Sequence, residues 1–150
     1  DEKENSFIDE IEKRISSLMH VPVSHAEALQ VLNYQPGQEY KAHYDFFGPD
    51  HPSSKNNRIS TLVMYLNDVE EGGETTFPCL GISVKPAKGS AVYFEYFYNN
   101  LKLNELTLHC SEPVIRGEKW VATQWMRRQQ IRERVSPIVY TRTGPWPSSA

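Results

Sequence analysis

Residues 40–47 read YKAHYDFF, an aromatic and aliphatic run that carries an imidazole and a carboxylate two positions apart. On a strand, residues i and i+2 project to the same face, so His43 and Asp45 point together. An inward carboxylate is costly unless it is paired or bound to a metal. Two donors do not make a site with open positions, and a third is needed. A 2-His-1-carboxylate set is the arrangement that suits non-haem Fe(II). His109, in LTLHC, lies far enough along the chain for a sheet to return, and it is the best third donor. His20 and His25 flank a proline break, and His51 sits in a polar loop; these three read as surface or capping histidines. Taken alone, His43 and Asp45 also fit a buried ion pair or a hydrogen-bonded core pair.

The last regular stretch, KWVATQWMR, sharpens this reading. Its alternation puts Lys119, Val121, Thr123 and Trp125 on one face. A buried ammonium with no partner tends to lose its charge. An inward Lys119 therefore wants an anion that the chain does not obviously supply, and a bound dicarboxylate would serve.

The elements that must position these groups follow from periodicity. SFIDEIEKRISSLM has apolar residues at 8, 11, 15 and 18, which predicts a supporting helix over about 6–20 with Ser6 as N-cap and Pro22 beyond its end. The period then shortens. AEALQVLNY, YKAHYDFF, RISTLVMYLND, ISVKP, GSAVYFEYF, ELTLHC and KWVATQWMR are short, rich in β-branched or aromatic residues, and bounded by turn formers. Six or seven strands after helix predict a mainly β domain, an antiparallel sandwich or open barrel with flanking α-helices. FGPDHPSSKNNR (47–58) reads as a mobile surface loop, and EEGGETTFP (70–78) as a tight Gly-Gly reversal. The Pro-rich tail, 136–150, reads as extended or poorly ordered.

Bulk properties narrow the class. A chain of 150 residues forms one domain with a real core. The formal net charge of −3 gives no sign of a nucleic-acid surface. No apolar run approaches the roughly 20 residues of a membrane span, so no membrane partner is expected. Cys79 and Cys110 are too few for a disulfide scaffold and are expected to be reduced thiols. The acidic N-terminus lacks the apolar region of a signal peptide. These features favour a bacterial cytoplasmic setting over a secretory one.

From about Ala28 to Arg128 the sequence resembles the catalytic domain of Fe(II)/2-oxoglutarate-dependent prolyl 4-hydroxylases, of the bacterial collagen type. The stretches that carry the likeness are LQVLNYQPGQEYKAHYDFF, RISTLVMYLNDVEEGGETTFP, VKPAKGSAVYF and HCSEPVIRGEKWVATQW. The resemblance implies a double-stranded β-helix (jelly-roll) core. It implies that His43, Asp45 and His109 hold iron, that Lys119 pairs with the distal carboxylate of 2-oxoglutarate, and that Tyr34 donates to it. Thr61 and Thr123 become neighbours of the co-substrate, while Tyr40, Arg58 and Trp125 line the peptide groove. The implied reaction couples decarboxylation of 2-oxoglutarate, to succinate and CO2, to 4-hydroxylation of proline in a proline-rich or collagen-like peptide. Ascorbate commonly restores the iron. One departure stands out: the family run His-Ala-Gly-Cys-Pro is here His109-Cys110-Ser111-Glu112-Pro113.

Two other readings stay open: a 2-oxoglutarate oxygenase acting on another residue or a small molecule, and a non-catalytic jelly-roll that binds peptide around a structural metal. The expected partner is a proline-containing peptide or protein, and a homodimer is left open. Lys119→Ala is expected to raise the 2-oxoglutarate KM sharply while leaving iron binding largely intact; steady-state kinetics with unchanged co-substrate dependence would remove Lys119 from the site.

Overall fold

The computed structural model describes residues 6–132, so the tail expected over 136–150 lies outside the described residues. Helix α1 (Ser6–Met19) already includes Ser6, and its cap lies outside the described residues. Ile15 and Met19 are buried, whereas Leu18 is 62% exposed. At 100° per residue Leu18 falls about 80° from Ile8, beyond the packed stripe, and Met19 falls close to its centre. The helix stops before Pro22. His20 adopts a left-handed φ of 54°, and the Val21 N–H returns to the Ser16 carbonyl at 3.2 Å, a Schellman closure.

Ten strands follow: β1 (Gln30–Tyr34), β2 (Tyr40–His43), β3 (Arg58–Tyr65), β4 (Glu71–Gly72), β5 (Thr75–Phe77), β6 (Ile82–Val84), β7 (Ala91–Glu95), β8 (His109–Ser111), β9 (Val114–Arg116) and β10 (Lys119–Arg127). They form a four-stranded sheet in the order β1-β10-β3-β7, a second in the order β2-β8-β5-β6, and a β4-β9 ribbon. All pairings are antiparallel. The result is the expected mainly β jelly-roll, with α1 as the one α-helix among the described residues.

Strand β10 divides its residues between two layers. Met126 packs in a cluster with Ile15, Met19, Ala26 and Leu62, which seats α1 on the outer side of the first sheet, and Ala122 is buried on the same strand face. Lys119, Val121, Thr123 and Trp125 line the space on the other side. The period-2 alternation thus builds the core with one face and the cavity with the other.

Two connections differ from expectation. The 70–78 stretch is not a hairpin: β4 pairs with β9, whereas β5 pairs with β6 and β8. Gly72 and Gly73, with φ of 80° and 72°, carry the chain from one sheet to the next. A Cβ at Gly72 would lie 2.4 Å from the Pro113 carbonyl oxygen, so only glycine fits that crossing. The 47–58 loop is held at both ends. Phe47 N–H donates to Asn57 Oδ1 at 2.7 Å, and Asn57 Nδ2 donates back to the Phe47 carbonyl at 2.8 Å. A 3-10 turn (Pro52–Asn56) fills its middle, capped by His51, whose Nδ1 accepts from Ser53 N–H.

The edge of the fold is closed by a buried ion pair. Glu12 is 1% exposed, and Arg132 meets both its oxygens at 2.8 Å while also donating to the carbonyls of Ala26 and Glu27. Removing one partner leaves the other charge buried and uncompensated, at a cost of about 3–5 kcal/mol. Arg132→Ala is expected to lower unfolding stability by that order in denaturant titration, and a Glu12→Leu/Arg132→Leu double variant should recover most of it.

Candidate active site

The two four-stranded sheets enclose a cavity of about 680 Å³, within the range of small-molecule sites. His43 ends β2 and His109 opens β8, directly opposite it in the antiparallel register. Their rings lie 4.4 Å apart, centroid to centroid. Asp45 is not on the strand; it sits in the bend just after it. The bend still brings Asp45 Oδ1 to 3.3 Å from His43 Nε2, and Oδ2 to 3.7 Å from His109 Nε2. Arg58 Nη1 donates to the Asp45 carbonyl at 3.3 Å and fixes the bend.

The donor set fits a metal ion. One ligand atom from each of the three residues lies within 4.8 Å of the others, and donors about 2.1 Å from a shared ion stand roughly 3–4 Å apart. Each imidazole donates from Nδ1 to a backbone carbonyl, His43 to Lys41 at 2.7 Å and His109 to Thr107 at 2.9 Å. That bond orients the ring and leaves Nε2 for coordination. Phe77 and Phe94 pack on the His109 ring and hold it further.

Asp45 is 7% exposed. Burial by itself would raise its pKa; the His43 hydrogen bond, the nearby His109 and the Thr61 hydroxyl outweigh it and hold the carboxyl down at about 2. The Trp125 indole N–H lies close enough to help, though it is short of hydrogen-bond geometry. Burial pushes His109 towards its neutral form. An ionised Asp45 and a neutral His109 are the states that coordination requires. Against the effect of burial, His43 is held towards its protonated form by its hydrogen bonds to Asp45 and the Lys41 carbonyl, so an arriving ion would displace its Nε2 proton.

Thr61, expected beside the co-substrate, is fully buried and faces the metal set instead. Its hydroxyl donates to Asp45 Oδ2 at 2.6 Å and touches the Tyr96 hydroxyl, which itself lies 3.4 Å from Oδ2. Burial raises the Tyr96 pKa well above that of a free phenol, so it serves as a neutral donor. Nothing about Tyr96 stands out in the sequence except that alternation in AVYFEYF puts Phe94 and Tyr96 on one face.

Lys119, 2% exposed, lies at the other end of the cavity. Its ammonium donates to Ser111 Oγ at 2.8 Å and sits over the rings of Tyr34 and Tyr65, at 5.4 and 5.7 Å. Among the described residues no carboxylate reaches it within ion-pair distance. Burial therefore drives its pKa down to about 8, against weak opposition from Glu74 and Cys110. Thr75 also lines this end, its hydroxyl accepting from Tyr65 at 2.7 Å. Thr75 and Ser111 escaped the sequence reading, although Ser111 stands two residues after His109, where alternation puts it on the same face.

Tyr34, Thr123, Tyr40, Arg58 and Trp125 all line the cavity. Tyr40 is half exposed at its mouth, against the His43 ring. The Arg58 guanidinium is already engaged. It meets Glu27 with two bonds of 2.8 Å and stacks 4.0 Å from the Trp125 ring centroid. Glu27, also missed in sequence, receives Arg127 at 2.9 Å as well. Cys79 and Cys110 are free thiols, as expected.

A jelly-roll with an inward His-Asp-His set and a facing buried lysine defines a class, and the comparisons agree with it. Residues 29–127 match the family described as the 2OG-Fe(II) oxygenase superfamily, and the chain belongs to that family. It is 38% identical over 148 residues to the probable prolyl 4-hydroxylase 9 of Arabidopsis thaliana, covering 88% of this chain and 51% of that protein. To the human prolyl 4-hydroxylase subunit alpha-1 it is 40% identical over 136 residues, covering 86% of this chain and 26% of the relative. It thus spans about half the length of the plant relative. Among solved structures it resembles the viral collagen prolyl hydroxylase of Paramecium Bursaria Chlorella virus-1 in its 2OG complex. That match has a TM-score of 0.73 and 38% identity, and covers 85% of this chain and 75% of the viral one. A Pseudomonas putida prolyl-4-hydroxylase aligns with a TM-score of 0.53 and 25% identity, covering 81% and 63% of the two chains.

Outer groups that orient metal ligands typically contribute 10–100-fold to metal affinity. Thr61→Val is expected to weaken Mn(II) binding at least tenfold in isothermal titration, with a smaller loss for Tyr96→Phe.

Proposed function

We propose that the chain is a peptidyl-proline 4-hydroxylase, dependent on Fe(II) and 2-oxoglutarate. The observation that carries the reading is the pairing of an inward His43-Asp45-His109 set with a buried, carboxylate-free Lys119 across one cavity. Proline hydroxylation is supported by the names of the relatives and by the viral collagen prolyl hydroxylase neighbour.

Bound iron and 2-oxoglutarate supply the oxidation: dioxygen is consumed, 2-oxoglutarate becomes succinate and CO2, and C4 of the prolyl ring gains a hydroxyl. The chain supplies position and charge. His43, Asp45 and His109 would hold the ion, with Thr61 and Tyr96 fixing Asp45. Lys119 would bind the distal carboxylate of the co-substrate, beside Tyr34 and Thr75. Thr123 and Val121 line the cavity on the same strand face, between Lys119 and Trp125. Trp125 and Tyr40 remain for the peptide, because aromatic walls suit the extended polyproline form. Arg58 contributes by holding the Asp45 bend and stacking on Trp125, since three of its five N–H groups are engaged by Glu27 and the backbone.

The deciding experiment is turnover of 2-oxoglutarate with Fe(II), ascorbate and a panel of proline-rich and collagen-like peptides, read by succinate release and by a +16 Da peptide product. Succinate without peptide oxidation would point to another acceptor, and no Fe(II)-dependent succinate would point to a binding module. A pH dependence follows from Lys119. Its ammonium is the majority form below about pH 8 and is lost as pH rises through that value. The KM for 2-oxoglutarate is therefore expected to climb above about pH 8, well before an exposed lysine would titrate.

A further inference from the structure

The proton inventory around Lys119 does not balance within the protein. The ammonium offers three N–H donors, and Ser111 Oγ is the acceptor it meets among the described residues. Ser111 Oγ, having accepted that bond, keeps its own proton, and among the described residues no acceptor receives it. Ser111 is 9% exposed and lines the cavity. It faces Thr75 in the β5–β8 register, and the Thr75 hydroxyl, filled by Tyr65, likewise retains a proton. A buried group of donors with no acceptor is unfavourable by itself. It becomes favourable against a ligand that only accepts, and an ionised carboxylate is that ligand.

Ser111 also has the right offset from the metal set. It lies on the same strand face as His109, one step of two residues away, about 7 Å along the strand. A short dicarboxylate chelated at one end brings its other end to that distance.

We propose that Ser111 is a direct ligand of the co-substrate's distal carboxylate. It accepts from Lys119 on one side and donates to the carboxylate on the other. The assignment rests on the 2-oxoglutarate reading above. A lesser role, in which Ser111 only steadies Lys119, makes different predictions.

The test is isothermal titration of the Mn(II)-loaded chain with 2-oxoglutarate and with 2-oxopentanoate, in which a methyl replaces the distal carboxylate. Wild type should bind the first much more tightly. Ser111→Ala should weaken 2-oxoglutarate binding about ten- to hundredfold, the range for a hydrogen bond to a charged group, and leave 2-oxopentanoate and Mn(II) binding unchanged. Ser111→Thr should retain most of the affinity. In a Lys119→Met background Ser111→Ala should still lower 2-oxoglutarate affinity; no further loss there would reduce Ser111 to a support for the lysine and overturn the proposal. Equal losses for both ligands, or none for either, would overturn it too. Wild type that fails to distinguish the two ligands would instead sink the co-substrate reading. In turnover, the KM for 2-oxoglutarate should rise with kcat unchanged.

Discussion

An ionised carboxylate inside a β-sandwich is the constraint around which the rest of this structure is arranged. Asp45 is almost fully buried, and the cost of keeping its charge there has to be met by donors on several elements. His43 comes from the end of β2, His109 from the start of β8, Thr61 from the middle of β3, and Tyr96 from just beyond β7. Arg58, at the start of β3, holds the backbone of the same residue. Both sheets must therefore close to within hydrogen-bond distance of one carboxyl group. The same closure brings two imidazole nitrogens to where a metal would bind.

The opposite end of the cavity shows what function costs. Lys119 has a folded pKa of about 8 against an ordinary 10.5. Its folded value lies below its unfolded one, so the unfolded chain binds more protons between those limits and stability rises with pH across them. Below about pH 8 the burial penalty is present in full, on the order of 3 kcal/mol. No packing need explains an ammonium there. A ligand that restores the missing negative charge would recover that energy as affinity, which is how a destabilising residue becomes a binding one. Gly73 belongs to the same economy of space, since a Cβ there would press on Lys119 Cδ at 3.3 Å.

Strand β10 links the two ends. One of its faces packs on the helix-covered core and the other lines the cavity, so a shift of one residue in its register would exchange Lys119 for Trp120 and destroy both at once. Its register is held on two sides, by β1 and β3. Lys119 is thus placed by a strand that has a partner along each edge.

Alternation along KWVATQWMR was readable without coordinates, because strand pleating dictates which residues share a face; the HxD pair and the distant histidine were readable too, although a bend after β2, not pleating, brings Asp45 to His43. The jelly-roll class, the metal-ligand candidates and the inward lysine followed from that local rule and from resemblance. Strands β4, β5 and β9 were not readable, since two or three residues carry no period. The Gly72-Gly73 crossing passed for a hairpin because glycine pairs signal a turn without saying which sheet the chain enters next. Thr61 and Arg58 were expected at the co-substrate and the peptide; the fold turns one to Asp45 and ties the other to Glu27. Ser111, Thr75 and Glu27 gained meaning only when strands far apart in sequence were paired. A sequence determines what each segment can present on its two faces, but partners across a sheet are chosen by packing, and hydrogen-bond partners in a cavity exist only once that choice is made.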